Sequence, residues 1–353
     1  MKTFNLALAI AFIFTSLNVY PCTSVFFDGR FEPLVGKNQD WFQGNGAVFI
    51  NKRDVQKTAI FVKNPLTWTS KYMSATFTQS GREFPWEGMN ERGVSVTIMW
   101  LDSTVLPPTT DSRPAINGLQ FIQYLLDTSA STDQAIAHAL GTRVEGPVAD
   151  KVHYFVCDIT KKCATLEFIG GNLIFHTGIG LPFKALTNDT YEYSENTLRT
   201  NLKTSSALHI LSSKSTRSSD RFARAAILSQ KISQSLFPSV TYAFMTLHNV
   251  SAPANAESPT QWSIVFALKS KLIRWKTLQS PTLKYFDLKS FDPHCKAPVK
   301  MFDMNSKVTG DANAAFVDYT PEANKALANL QKLQPQKFID VSTSYPASTK
   351  CLE

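Results

Sequence analysis

Strand-like runs fall into two groups with helices between them, and this order constrains the fold of the 353-residue chain more than any other feature. In the first group, Cys22 to Phe27, Pro33 to Asn38, Ala47 to Asn51, Thr58 to Val62, Ser74 to Thr78 and Val94 to Trp100 have strand length. Turn residues such as Asp28-Gly29-Arg30 and Glu91-Arg92-Gly93 bound them. Between Asn117 and Thr128 the apolar residues Leu119, Phe121, Ile122, Leu125 and Leu126 recur at helical spacing, and Ser131 to Gln134 then offers a capping box for a second helix through Leu140. Strands resume at Val152 to Cys157, Ala164 to Ile169 and Leu173 to Thr177. A helix from Asp220 to Ile232 separates these from Trp262 to Leu268 and Leu272 to Thr277. Such an order predicts stacked sheets covered by helices, not the regular strand-helix alternation of a parallel α/β fold.

The first 21 residues read as an export leader. Lys2 precedes the apolar run Leu6 to Phe14 and a more polar stretch ending in Pro21, and the run is short for a membrane span. Pro21 sits where a signal peptidase prefers a small residue, so upstream cleavage followed by self-processing to Cys22 fits the sequence better than a direct cut. The expected location is the periplasm or the exterior, with no integral membrane segment after leader removal. Residues 22–353 read as one domain, with a C-terminal extension from about Lys296 that carries a helix from Pro321 to Leu333. The formal charge of +8 is spread without a dense basic block, which argues against a nucleic-acid partner. No His, Cys, Asp or Glu cluster has metal-ligand spacing, and no cofactor is implied.

Five cysteines remain in a compartment that permits disulfides. Cys157 and Cys163 lie symmetrically about a turn, and Cys295 and Cys351 both lie near the end of the chain. Each pair is read either as a bridge or as two buried thiols, and Cys22 is left over. A thiol needs a base to become a nucleophile, and none of the six histidines stands in a known cysteine-hydrolase signature. If the mature chain begins at Cys22, its own α-amine, with a pKa of about 8, supplies that base from the same residue. The hairpin Cys22 to Asn38 would bring Asp40 back beside it.

Cys22-Thr23-Ser24 followed by Gly36-Lys37-Asn38-Gln39-Asp40-Trp41 resembles the opening of the choloylglycine hydrolase family, which contains bile salt hydrolases and penicillin V acylases. Gly88-Met89-Asn90-Glu91-Arg92-Gly93-Val94 resembles the family's turn into its oxyanion strand. Ala185-Leu186-Thr187-Asn188 resembles its asparagine motif, and Ser219-Asp220-Arg221-Phe222-Ala223-Arg224-Ala225-Ala226 its arginine motif. The Gln261-Trp262-Ser263 strand is similar too.

The resemblance implies an N-terminal-nucleophile hydrolase of the α+β class, a four-layer αββα sandwich of two stacked antiparallel sheets. It implies that Cys22 attacks an amide carbonyl, that Asp40 holds the α-amine, that Asn188 and the backbone NH of Trp100 form the oxyanion hole, and that Arg221 favours the thiolate. Lys37 replaces an arginine of the bile salt hydrolases and penicillin V acylases, and Trp100 leans towards the acylases, which carry an aromatic residue there. Candidate substrate contacts are Lys37, Trp41 and Trp86, with Phe42, Phe84 and Trp100 also near the motifs. The implied partner is a small N-acyl amide with an apolar acyl group: penicillin V, a conjugated bile salt or an N-acyl homoserine lactone. An acyltransferase and a catalytically inactive binding protein on the same scaffold are the alternatives. The oligomeric state stays open, homo-oligomers being common among the related enzymes.

Overall fold

A computed structural model describes residues 21–330 and 336–352; the leader, apart from Pro21, lies outside the described residues. Among these, seven strands form one sheet, in the order Ala185–Leu186, Thr23–Asp28, Pro33–Asp40, Thr260–Ala267, Leu272–Thr277, Lys284–Asp287 and Gly310–Asp311. All neighbours are antiparallel except the last pair. A second sheet of nine antiparallel strands runs Asn172–Thr177, Cys163–Ile169, Val152–Cys157, Ser95–Trp100, Glu87–Asn90, Ser74–Thr78, Ala47–Asn51, Lys300–Asp303 and Val317–Asp318. The segment beyond Lys296 therefore contributes strands to both sheets.

Alternation along each strand decides what packs where. In Ser95–Trp100, Val96 and Ile98 join Leu119, Phe121, Leu125 and Ile136 in the core beneath the helices Gly118–Thr128 and Thr132–Leu140. The residues between them, Thr97 and Met99, face the other sheet, where Ser24 Oγ lies 2.7 Å from Thr97 Oγ1. On the outer side of the first sheet the helices Ser218–Gln230 and Ser239–Asn249 cover Thr23–Asp28 and Pro33–Asp40. Gly36 permits that approach, because a Cβ there would sit 3.2 Å from Leu247 of the covering helix and 3.0 Å from Phe27. The result is the four-layer αββα sandwich. Truncating a fully buried aromatic of its helix layers, such as Phe121→Ala, would cost about 3–5 kcal/mol.

Both expected helices of the central region form with their caps. Asn117 accepts from the amides of Leu119 and Gln120, and Ser131 accepts from Gln134, whose own side chain returns to the amide of Ala130. The third helix spans Ser218–Gln230, two residues earlier at each end than expected. The tail helix is Pro321–Asn329; the end of its expected span lies outside the described residues. The expected strand Thr58 to Val62 does not form. Pairing stops with Val55–Thr58, because Phe61 takes a left-handed φ of 63° and Asn64 one of 54°, which turn the chain out of extended geometry.

The cysteines pair as Cys157 with Cys163 and Cys295 with Cys351, and Cys22 is free and buried. Cys157 and Cys163 are directly opposed across their hairpin, which the spacing made possible. No helix among the described residues is long and apolar enough to cross a membrane.

Candidate active site

Cys22 immediately precedes the strand Thr23–Asp28, and the hairpin register, Thr23 opposite Asn38 and Ser24 opposite Lys37, folds the end of Pro33–Asp40 back beside it. The thiol lies 3.6 Å from Gln39 Oε1 and 3.8 Å from the Asp40 carbonyl. Lys37, Asp40 and Arg221 are all completely buried around it.

Asp40 has two unlike oxygens. Oδ1 accepts the Thr260 hydroxyl, while Oδ2 is buried with no hydrogen-bond partner. Burial pushes this carboxyl up to about 7 against the opposing pull of Arg221, Thr260 and Lys37. Burial also pushes the Cys22 thiol up, Lys37 works against that, and Asp40 adds to it. In the uncut chain the Cys22 nitrogen is the peptide nitrogen following Pro21, so this is the site before an α-amine exists.

Lys37 donates to the carbonyl of Ile98 at 2.6 Å. That carbonyl is available because Glu87–Asn90 pairs with the neighbouring strand only at Ser95 to Thr97, which leaves the far end of Ser95–Trp100 without a sheet neighbour on that side. The Lys37 ammonium, expected as a substrate contact, is completely buried, and its charge lowers the pKa of the Cys22 thiol.

Asn188 is held on every side. Its Nδ2 donates to the Trp100 carbonyl at 2.9 Å, its Oδ1 accepts from Arg221 Nη2 at 2.7 Å, and its backbone N donates to Ser218 Oγ at 2.8 Å. Arg221 also spans to the Cys22 carbonyl at 2.5 Å, Thr23 Oγ1 at 2.7 Å and the Thr216 carbonyl at 3.0 Å. One guanidinium thus ties the residue expected to attack to the residue expected to receive the oxyanion. Desolvation lowers the Arg221 pKa, and Asp40 and Cys22 oppose that.

Three supports were not read from the sequence. Glu87 is buried, accepts from Trp262 Nε1 at 2.6 Å and is pushed up to about 7 by burial, with Lys37 and Trp262 opposing. His153 bridges Glu167 Oε1, 2.9 Å away, and the carbonyl of Thr187, 2.7 Å away, directly behind Asn188. Thr260 owes its position to a bulge between Thr260 and Trp262. Glu87 stands just before the Gly88 motif, and Thr260 just before Gln261-Trp262-Ser263, whose Gln261 is the bulged residue, so adjacency to the motifs was the available signal.

Of the aromatic candidates, Trp41 and Trp86 meet edge to face with centroids 5.2 Å apart, and Phe42 lies 5.0 Å from Trp41. Trp100 is partly exposed and its indole donates to Asp102 at 2.6 Å. Phe84 is fully buried against Phe338 and Tyr345, so it is core rather than pocket wall.

No protein-family model matches the chain. A penicillin V acylase of Pectobacterium atrosepticum is 23% identical over 296 residues, 74% of this chain and 78% of that protein. The same chain gathers Cys22, Asp40, Asn188 and Arg221 at one point. The chain is similar to a penicillin V acylase over about three quarters of its length. Among solved folds, the penicillin V acylase of Agrobacterium tumefaciens superposes with a TM-score of 0.75 at 23% identity, covering 85% of this chain and 98% of that one. A mutant form of the conjugated bile acid hydrolase of Clostridium perfringens gives 0.68 at 16% identity, covering 82% and 98%. The choloylglycine hydrolase motifs expected at Cys22, Asn188 and Arg221 thus lie on one αββα scaffold.

Proposed function

We propose that the exported, mature protein hydrolyses the amide of an N-acyl compound with an apolar acyl group, through a thioester on N-terminal Cys22. The observation that carries this reading is the bare, buried Oδ2 of Asp40 beside Cys22. An unpaired carboxylate oxygen in that position is costly until a donor arrives, and an α-ammonium created by cleavage before Cys22 is such a donor. The α-amine takes the thiol proton, sulfur attacks the carbonyl carbon, and the proton passes to the leaving amine as the C–N bond breaks. Water then attacks the thioester, releasing the carboxylic acid and restoring the thiol. Asn188 Nδ2 spends one N–H on the Trp100 carbonyl and has a second to offer the oxyanion, while Arg221 polarises the amide from its oxygen side.

Phenoxyacetyl amides of the penicillin V type are the first substrates to expect. The two acylase relatives act on penicillin V by name, and the Trp41–Trp86 pair offers aromatic surface near the site. Two disulfides support work outside the cytoplasm, in the periplasm or beyond. The test is N-terminal sequencing with intact mass of the exported protein, followed by a turnover screen of penicillin V, conjugated bile salts and N-acyl homoserine lactones. A chain beginning at Cys22 that cleaves one of them supports the reading. A stable chain beginning upstream that binds without turnover rejects it.

A further inference from the structure

The peptide group that leads into Asn188 is held at both ends by side chains from separate elements. Its carbonyl, on Thr187, lies 2.7 Å from Nε2 of His153, and its N–H, on Asn188, donates to Ser218 Oγ at 2.8 Å. The chain is held again at Tyr191, the first residue of the helix Tyr191–Thr204, whose amide lies 3.0 Å from Oε1 and 3.2 Å from Oε2 of Glu167. Glu167 Oε1 is also the partner of His153 Nδ1, at 2.9 Å. The short segment from Thr187 to Tyr191 is thus fastened before and after Asn188 to one buried pair, His153 and Glu167.

The pair stands where packing alone would favour apolar side chains. His153 lies opposite Met99 on the neighbouring strand, and Phe155 follows it on the same face, so alternation points the ring into the apolar core between the sheets. His153 and Glu167 are 0% and 1% exposed. Taking such groups out of water costs about as much as their attraction returns, so the pair adds little to net stability, and what it adds is direction. Glu167 receives the Tyr191 amide with both oxygens and so acts as an acceptor, and the Thr187 carbonyl is an acceptor by nature. His153 faces an acceptor at each nitrogen and therefore donates from both. A ring with a single N–H could hold only one of the two partners. The other histidine near Glu167, His176, has its Nε2 3.7 Å from Oε2, too far for a hydrogen bond that would compete.

We infer that His153, donating from both ring nitrogens and paired with Glu167, is a positioning residue for the amide cleavage proposed above. It fixes the plane of the Thr187–Asn188 peptide and so aims Asn188 Nδ2 at the oxyanion. The inference rests on that reading of Asn188, and its first test needs no turnover. In protein labelled with nitrogen-15 histidine, the His153 ring, assigned by its loss in His153→Gln, should show hydrogen on both Nδ1 and Nε2 at pH 7. A ring nitrogen without hydrogen overturns the proposal. The side-chain amide signal of Asn188, assigned by its loss in Asn188→Ala, should shift in His153→Gln and in Ser218→Ala, and an unmoved signal in either folded variant overturns it too. A protein that cleaves none of the amides screened fails the proposed function, while these signals still decide whether the clamp holds Asn188. On an amide that is cleaved, His153→Gln should lower kcat per Cys22 thiol, counted by alkylation, by about 10- to 100-fold with KM little changed. Ser218 is partly exposed and opens its helix, so Ser218→Ala, which frees the other end of the same peptide, keeps the test decisive even where His153→Gln fails to fold. Its kcat should fall in the same direction. An unchanged kcat per thiol in a folded variant, with only the thermal midpoint lowered, would make the pair purely structural and overturn the proposal.

Discussion

Thr260 donates its hydroxyl to Oδ1 of Asp40 from the far side of a β-bulge, so the orientation of the carboxylate is set by a strand more than 200 residues away in sequence. The bond favours the ionised form of a carboxyl that burial pushes up to about 7. Removing it leaves Asp40 easier to protonate and free to rotate.

Thr260→Val should therefore move the acidic limb of the pH–rate profile to higher pH. It should lower kcat/KM by about 10- to 100-fold, as expected for one hydrogen bond to a charged group. Steady-state kinetics from pH 5 to pH 9 checks this, and an unshifted acidic limb would remove Thr260 from any part in orienting Asp40.

The uncut chain should lose stability as pH rises. Asp40 and Glu87 each titrate near 7 when folded, against about 4 in an unfolded chain, so between those values the folded state binds more protons. Their contribution is fully present below about pH 4 and is lost as pH rises through about 7. In Cys22→Ala with the leader retained, the urea midpoint should fall across that window, and Asp40→Asn combined with Glu87→Gln should flatten the curve. A midpoint that rises over this window in the parent chain would contradict the protonation of both carboxyls.

Asn188→Ala removes the Nδ2 that reaches the Trp100 carbonyl and the Oδ1 that receives Arg221. Loss of a single oxyanion donor typically costs about 10²–10³ in kcat, and the same loss is expected here with KM little changed. Pre-steady-state kinetics should show acylation as the slowed step. A purely structural role would instead lower the thermal midpoint and leave the kcat of the folded fraction intact.

How far the sequence went can be judged from particular residues. Asp40 was legible beside Cys22 because a hairpin converts sequence spacing directly into proximity, and the register Thr23 to Asn38 delivers it there; Lys37 was read only through its motif. Asn188 and Arg221 were legible only through their motifs, since nothing local links two residues that meet across separate elements. His153 was invisible as a support, because an alternating apolar strand with one histidine reads the same whether that ring packs or bridges Glu167 to Thr187. The Thr58 to Val62 strand failed for a related reason. Its apolar pattern suits a strand, but the left-handed turn at Phe61 is set by tertiary contacts: Ala59 donates to Leu66, and Leu66 donates to Ala115.

Glu87 and Lys37 yield the sharpest test of how the thiol is tuned, because they act on Cys22 with opposite sign. Lys37 lowers the thiol pKa while Glu87 raises it, and both sit in the same buried volume. Lys37→Met should leave less thiolate at a given pH, and Glu87→Gln should leave more. The alkylation rate of Cys22 with iodoacetamide, followed by mass spectrometry between pH 6 and pH 10, reads this directly. Its midpoint should move up in Lys37→Met, with the reaction at neutral pH slowing about tenfold for every pH unit the midpoint rises, and down in Glu87→Gln. Lys37→Arg keeps the charge but must fit a planar group into the space that points one ammonium at the Ile98 carbonyl, so it should hold the midpoint while lowering stability. Equal midpoints in Lys37→Met and the parent would mean that the lysine only fills its hole.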